Sequence, residues 1–127
     1  MGADMPKQVV VIGHGVGDAL TKPLEASGYH SVLTLSHEEA RALLFNQTVD
    51  AVLLISPNLD DNDLRFCSEL RDRLGPRTVI IVVCASSSAW TRVVALEVGA
   101  DDVVTMLVGE DELLARLSSH LRRRGAK

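Results

Sequence analysis

Five times along the chain a short, β-branched apolar run is followed by a segment with helical periodicity, and this alternation limits the fold more than any other feature. Val9 to Ile12, Ser31 to Leu35, Ala51 to Ile55, Val79 to Val83 and Val103 to Thr105 are the apolar runs. Each is too short for a helix and rich enough in Val, Ile and Leu for a buried strand. Between them, Ser36 and Glu39 form a capping-box pattern ahead of Ala40, Leu43 and Leu44. Leu64, Cys67, Leu70 and Leu74 share one helical stripe, and Leu113, Leu117 and Leu121 share another. Strands and helices that alternate with short connections require right-handed βαβ crossovers, and so a parallel sheet covered by helices on both faces. The 127 residues suffice for one such domain and not two, with a core over about residues 8–122. Only four residues are aromatic, so that core is aliphatic.

In an open parallel sheet, chemistry gathers outside the carboxyl ends of the strands. The residues to weigh are therefore those that end or follow Ile12, Ile55, Val83 and Thr105. Pro23 interrupts the segment after the first strand; a proline belongs in a first helical turn, so the first helix is expected to be kinked or to start late, near Thr21.

The stretch Ala89-Trp90-Thr91-Arg92-Val93-Val94-Ala95-Leu96-Glu97-Val98-Gly99-Ala100-Asp101-Asp102 resembles the fourth helix and following turn of the receiver domains of bacterial response regulators. Leu24 to Tyr29, Val49 to Leu54 and Glu112 to Leu117 extend the likeness over nearly the whole chain. The resemblance implies a doubly wound (βα)5 three-layer sandwich of the flavodoxin and CheY-like kind, with a five-stranded parallel sheet in order 2-1-3-4-5. It also implies a phosphorylation site built from an acidic pair, an acceptor aspartate, a hydroxyl and a lysine. At the matching positions this chain has Gly13 and His14 for the acidic pair, Ile55 for the acceptor, Cys84 for the hydroxyl, and Met106 with Leu107 for Lys-Pro. The aromatic that swings on activation is matched by Val103. An isoleucine cannot form an acyl phosphate, and Gly13 and His14 offer no anionic oxygen to a hard cation. The expectation is an atypical pseudo-receiver: no enzyme, with no cofactor and no metal, signalling by protein contact in the cytoplasm.

The face that receiver domains use for partners or homodimers is formed by the fourth helix, fifth strand and fifth helix. By that resemblance Trp90, Arg92 and Val103 are the candidate contact residues. A second reading makes the apolar former phosphorylation pocket, lined by Ile55, Cys84 and Met106, a receptor for a small hydrophobic molecule. A third makes the glycine turn Gly13 to Gly17 a nucleotide site. Its spacing is G-x-G-x-G, whereas a dinucleotide turn needs G-x-G-x-x-G and an acid about 20 residues on; the second strand ends Leu35-Ser36, without one.

Other signals have plainer readings. Asp60, Asp61 and Asp63, and Ser86 to Ser88, stand where helix caps and first-turn charges are expected. His14 has no second ligand or nucleophile beside it in sequence. Cys67 and Cys84 lie in apolar surroundings without metal or redox spacing, which marks them as core residues. A net charge of −4 gives no footing for nucleic acid, and Arg122 to Arg124 complement a helix C-terminus. No apolar run approaches the length that spans a bilayer, and Met1 to Lys7 has no hydrophobic stretch of signal-peptide length. No membrane partner is expected.

Overall fold

The structure is a computed structural model that describes residues 5–13, 15–85 and 88–125. Its elements run β1 (Gln8–Ile12), α1 (Val16–Ala26), β2 (His30–Thr34), α2 (His37–Leu44), β3 (Ala51–Ile55), α3 (Asp61–Leu74), β4 (Val79–Cys84), α4 (Ala89–Val98), β5 (Asp102–Thr105), a single 3₁₀ turn (Met106–Val108) and α5 (Gly109–Gly125). All four strand pairings are parallel and the order is β2-β1-β3-β4-β5.

Alternation of side chains along each strand divides the core into two apolar layers. On one face Val9, Val11, Leu53, Ile55, Ile81, Val83 and Val104 meet Leu20 and Leu24 of α1 and Leu113, Leu117 and Leu121 of α5. On the other, Val10, Ile12, Val52, Leu54, Ile80, Val82, Cys84 and Val103 meet α2, α3 and α4 through Ala40, Leu44, Phe66, Cys67, Leu70 and Ala95. β3 and β4 lie in the middle of the sheet and are buried along their whole length, which is why they read as unbroken apolar runs.

The expected caps form. Ser36 Oγ accepts the Glu39 amide at 3.1 Å, Asp60 accepts the Asp63 amide at 2.9 Å, and Ser88 Oγ accepts the Thr91 amide at 3.0 Å. Ser86 and Ser87 lie outside the described residues. The expectation for α1 needs correction: the helix begins at Val16, not near Thr21, and Pro23 sits in its C-terminal half. The ring costs the helix one backbone donor, while Leu20 and Leu24 on either side are buried against the sheet and hold the helix in register.

One guanidinium ties the amino ends of the later strands together. Arg71 of α3 donates to the carbonyls of Gly99, Gly75 and Thr78 at 3.0, 2.7 and 2.8 Å, and to the Asp101 carboxylate at 2.7 Å. Asp101 also accepts the Ile80 amide at 2.8 Å and pairs with Arg124 of α5. The chain reaches Asp101 only because Gly99 carries no side chain: its φ is 146°, and a Cβ there would stand 2.6 Å from the Arg71 Cβ.

Candidate functional site

The carboxyl ends of β1, β3, β4 and β5 bring Gly13, Ile55, Cys84 and Met106 to one edge of the sheet. His14 lies outside the described residues. What stands at this edge is hydrocarbon in close contact. A Cβ built on Gly13 would lie 2.8 Å from the Ile55 Cβ, and one on Gly17 would lie 3.7 Å from the Ile55 Cγ1. The two glycines thus let the β1–α1 turn close directly onto the isoleucine. Ile55 is 8% exposed. A side chain at Gly13 would collide with Ile55, and one at Gly17 would press within 3.2 Å of the Leu33 and Val11 methyl groups.

The same turn is poorly arranged for a phosphate. The Asp18 carboxylate accepts the Gly15 amide at 3.1 Å and places a negative charge in the first turn of α1. That charge stabilises the helix and repels the anion that a dinucleotide turn exists to hold.

Cys84 and Ile55 do not share a pocket. Cys84 is fully buried on the α2–α3–α4 face of the sheet, with its thiol 3.6 Å from the Val104 carbonyl, whereas Ile55 and Met106 belong to the α1–α5 face. Ile55 and Met106 also line different hollows. One of about 210 Å³ holds Ile55 with Gly13, Leu35, His37 and Pro57. Another of about 130 Å³ holds Met106 with Val16, Leu20, Val83 and Leu113. The single ligand pocket expected from Ile55, Cys84 and Met106 is therefore not assembled, because successive residues of a strand point to opposite faces.

A polar cluster beside this edge was not foreseen. Ser56, the residue after Ile55, donates its hydroxyl to the Asp63 carboxylate, and the other carboxylate oxygen lies 3.1 Å from His37 Nε2. The imidazole stacks on Phe66 at 4.0 Å between ring centroids. These contacts span residues 26 apart in sequence, so no local pattern announces them. The serine is 1% exposed and is bonded to the carboxylate, not to the imidazole. With its hydroxyl closed off from solvent and from any substrate, this is a structural clasp between α2, the β3–α3 loop and α3. Nearby, the Asp63 amide holds the Asp60 carboxyl below the usual carboxylate range.

A receiver fold implies a divalent cation at this edge, and the residues present do not fit one. Gly13 has no side chain, the Ile55 side chain has no oxygen, and Asp63 is committed to Ser56 and His37. Among the described residues no group of three or more His, Cys, Asp or Glu side chains is placed to hold a metal ion.

The outward face of α4 is the other candidate. Trp90 is 74% exposed, and Arg92, two residues on, is exposed on the opposite flank of the helix. Val93 and Leu96 continue the apolar surface at 44% and 47%. Val103 is a correction: at 3% exposure it packs under α4 with Ala95, because it is the inward-facing residue of β5. It supports the face without presenting any of it. Val93 and Leu96 were legible in principle, since they fall off the buried stripe that passes through Ala95. On the flank formed by β5 and α5, Asp102 lies 3.2 Å from Arg116 and 3.1 Å from His120. Glu112 also accepts from Arg116, at 2.8 Å, and the two carboxylates hold its guanidinium above its ordinary value.

Comparison with known proteins agrees with this architecture. No protein-family model matches the chain. Response regulator MprA of Mycobacterium sp. (strain KMS) is 36% identical over 123 residues, which are 94% of this chain and 52% of that protein. The chain thus spans about half the length of the curated relatives it matches. The solved receiver domain of the TMAO respiratory system response regulator TorR superposes with a TM-score of 0.78 at 34% identity, covering 91% of this chain and 98% of that one. An atypical orphan response regulator, whose structure is described as revealing a phosphorylation-independent regulatory mechanism, superposes with a TM-score of 0.78 at 27% identity, covering 91% and 95%.

Proposed function

This chain belongs to the receiver-domain family of response regulators, and we propose that it is a pseudo-receiver, which passes signals by protein contact and takes up no phosphoryl group. The observation that carries the proposal is Ile55. It ends β3, where the family places the acceptor aspartate, and it is sealed under Gly13 by direct contact. A phosphoryl group would need an oxygen nucleophile and a cation held by carboxylates, and the side chains at Gly13 and Ile55 supply neither.

In this reading the domain is no enzyme, needs no cofactor or metal, and acts in the cytoplasm. Among the described residues no helix is long and apolar enough to cross a membrane. Phosphorylation normally shifts a receiver between two states, and a domain without acceptor or aromatic switch keeps only its surface. The exposed side of α4 is that surface, with Trp90 and Arg92 as its anchors. The precedent of a phosphorylation-independent orphan regulator with the same fold supports the reading.

The test is to isolate the native partner from the cytoplasm and compare Trp90→Ala and Arg92→Ala with Cys84→Ser, after circular dichroism shows all three to be folded. Loss of roughly 2 kcal/mol or more of binding is expected for Trp90→Ala, with little change for Cys84→Ser. Normal binding by both helix variants and loss in the cysteine variant would move the function to the buried edge.

A further inference from the structure

The hollow of about 130 Å³ beside Met106 opens between the first turns of α1 and α5. Buried Leu20, Val83 and Leu113 form its floor, and half-buried Val16, Met106 and Val108 form its walls. Small residues keep it open. Ala19 stands exposed on the α1 side, and on the α5 side a Cβ built on Gly109 would meet nothing within 4 Å. In volume it compares with an engineered apolar cavity of about 150 Å³ that takes up benzene, although this one reaches the surface. The turn at its rim is apolar throughout: Met106, Leu107 and Val108 are consecutive, and Leu107 is 89% exposed. A surface turn that serves only the fold is usually polar. By the family resemblance Met106 takes the place of a lysine, so the wall loses a cation and becomes hydrocarbon.

Two oxygen-bearing side chains, Thr105 and Glu110, complete the lining. Among the described residues Glu110 enters no ion pair. It shares the first turn of α5 with Asp111 and Glu112, where acids also favour the helix start, but of the three only Glu110 lines the hollow. Its charge repels an anionic guest and attracts an ammonium, and the Thr105 hydroxyl can accept a hydrogen bond from the same group. From this we infer that the hollow binds a small apolar amine, its hydrocarbon body against Leu20, Val83 and Leu113 and its ammonium at the mouth beside Glu110. This site is separate from the α4 surface, because the hollow belongs to the α1–α5 layer and α4 packs on the opposite face of the sheet.

Benzylamine, benzyl alcohol and benzoate share one ring and differ in charge, so titrating each at constant pH against the methyl-labelled chain, followed by NMR, tests it. Benzylamine should shift the methyl signals of Leu20, Val83, Met106 and Leu113 and saturate with a Kd on the order of 1 mM, as so few atoms allow. The methyls of Leu44 and Val52, on the other face of the sheet, should not move. Benzyl alcohol should bind about threefold more weakly than the amine and benzoate about tenfold, the range that one exposed charge supplies. Glu110→Gln should bring benzylamine to the level of the alcohol. Ala19→Leu fills the mouth from an exposed position and should abolish the shifts, while the remaining methyl signals show the variant folded. Shifts that fail to saturate, that spread to the α2–α3–α4 face or that survive unchanged in Ala19→Leu overturn the inference, as does benzylamine binding no tighter than the other two.

Discussion

Replacing Ile55 by aspartate restores the residue the family uses for phosphorylation, and the structure argues that the change is destructive. Ile55 is 8% exposed and lies against Gly13 and Gly17. Removing its side chain from the core forfeits about 2 kcal/mol of apolar burial. A carboxylate in its place would have neither lysine nor cation if, as proposed, Met106 takes the lysine position and Gly13 one of the acidic ones. An uncompensated buried charge adds about 2 to 3 kcal/mol more. The sum, near 4 to 5 kcal/mol, is comparable with the whole stability of many domains, and for a chain of this size corresponds to a fall in Tm of roughly 12 to 20 °C. Thermal melts of Ile55→Asp and Ile55→Asn, followed by circular dichroism from pH 4 to 8, separate the two contributions. Burial raises the folded-state pKa of the new carboxyl above its unfolded value of about 3.9. Its penalty is therefore absent below the unfolded pKa and grows as pH rises through the folded pKa. The aspartate variant should melt well below the asparagine variant at pH 8 and converge on it near pH 4. An aspartate variant within about 1 kcal/mol of the parent at neutral pH would show that Ile55 is not sealed in the core and would refute the account of this edge.

Other outcomes follow from the same geometry. Gly13→Ala should cost about 2 to 3 kcal/mol by urea unfolding, through its approach to the Ile55 Cβ and its φ of 122°, and adding Ile55→Ala should bring no recovery, since alanine keeps the Cβ that stands 2.8 Å away. Arg71→Ala should destabilise by about 3 kcal/mol or more, because it takes this donor from the Gly75, Thr78 and Gly99 carbonyls and one of three partners from the Asp101 carboxylate; equal melting of variant and parent would contradict this. Burial pushes the Cys67 thiol up to about 11. Since the folded value is raised, this group's contribution is intact below the unfolded thiol's pKa of about 8.5 and is lost as pH rises through 11. Relative to Cys67→Ala, the parent should lose stability between those limits, and its thiol should resist alkylation at pH 8 until the chain unfolds.

Much of the fold is legible in the sequence because its signals are local. Five apolar runs bounded by polar turns mark the strands, and Ser36, Asp60 and Ser88 mark helix starts that form as expected. The strand order came from the family resemblance, and the sheet has it. What escaped the sequence depends on which way a residue faces once the sheet has formed. Ile55 and Cys84 both end strands, yet they serve opposite faces; Val103 and Val104 are consecutive and both buried, yet Val103 packs on the α4 side and Val104 on the α5 side. Pro23 misled because helix start signals were weighed without the buried Leu20 and Leu24 that carry α1 through it. The clasp of Ser56, Asp63 and His37 joins three elements and leaves no periodic trace. The glycines after β1 were read as filling the space of an absent acidic pair, and for Gly13 the structure adds the reason it must be glycine: its φ is 122° and the Ile55 Cβ lies directly beneath it.

The central claim is that this receiver fold signals without accepting phosphate, and intact mass after incubation with acetyl phosphate and magnesium addresses it most directly. The account predicts a single species at the parent mass, with Trp90 fluorescence and sedimentation unchanged by the phosphodonor. An added mass of about 80 Da that survives acid and is released by hydroxylamine, the behaviour of an acyl phosphate on an aspartate, would contradict it.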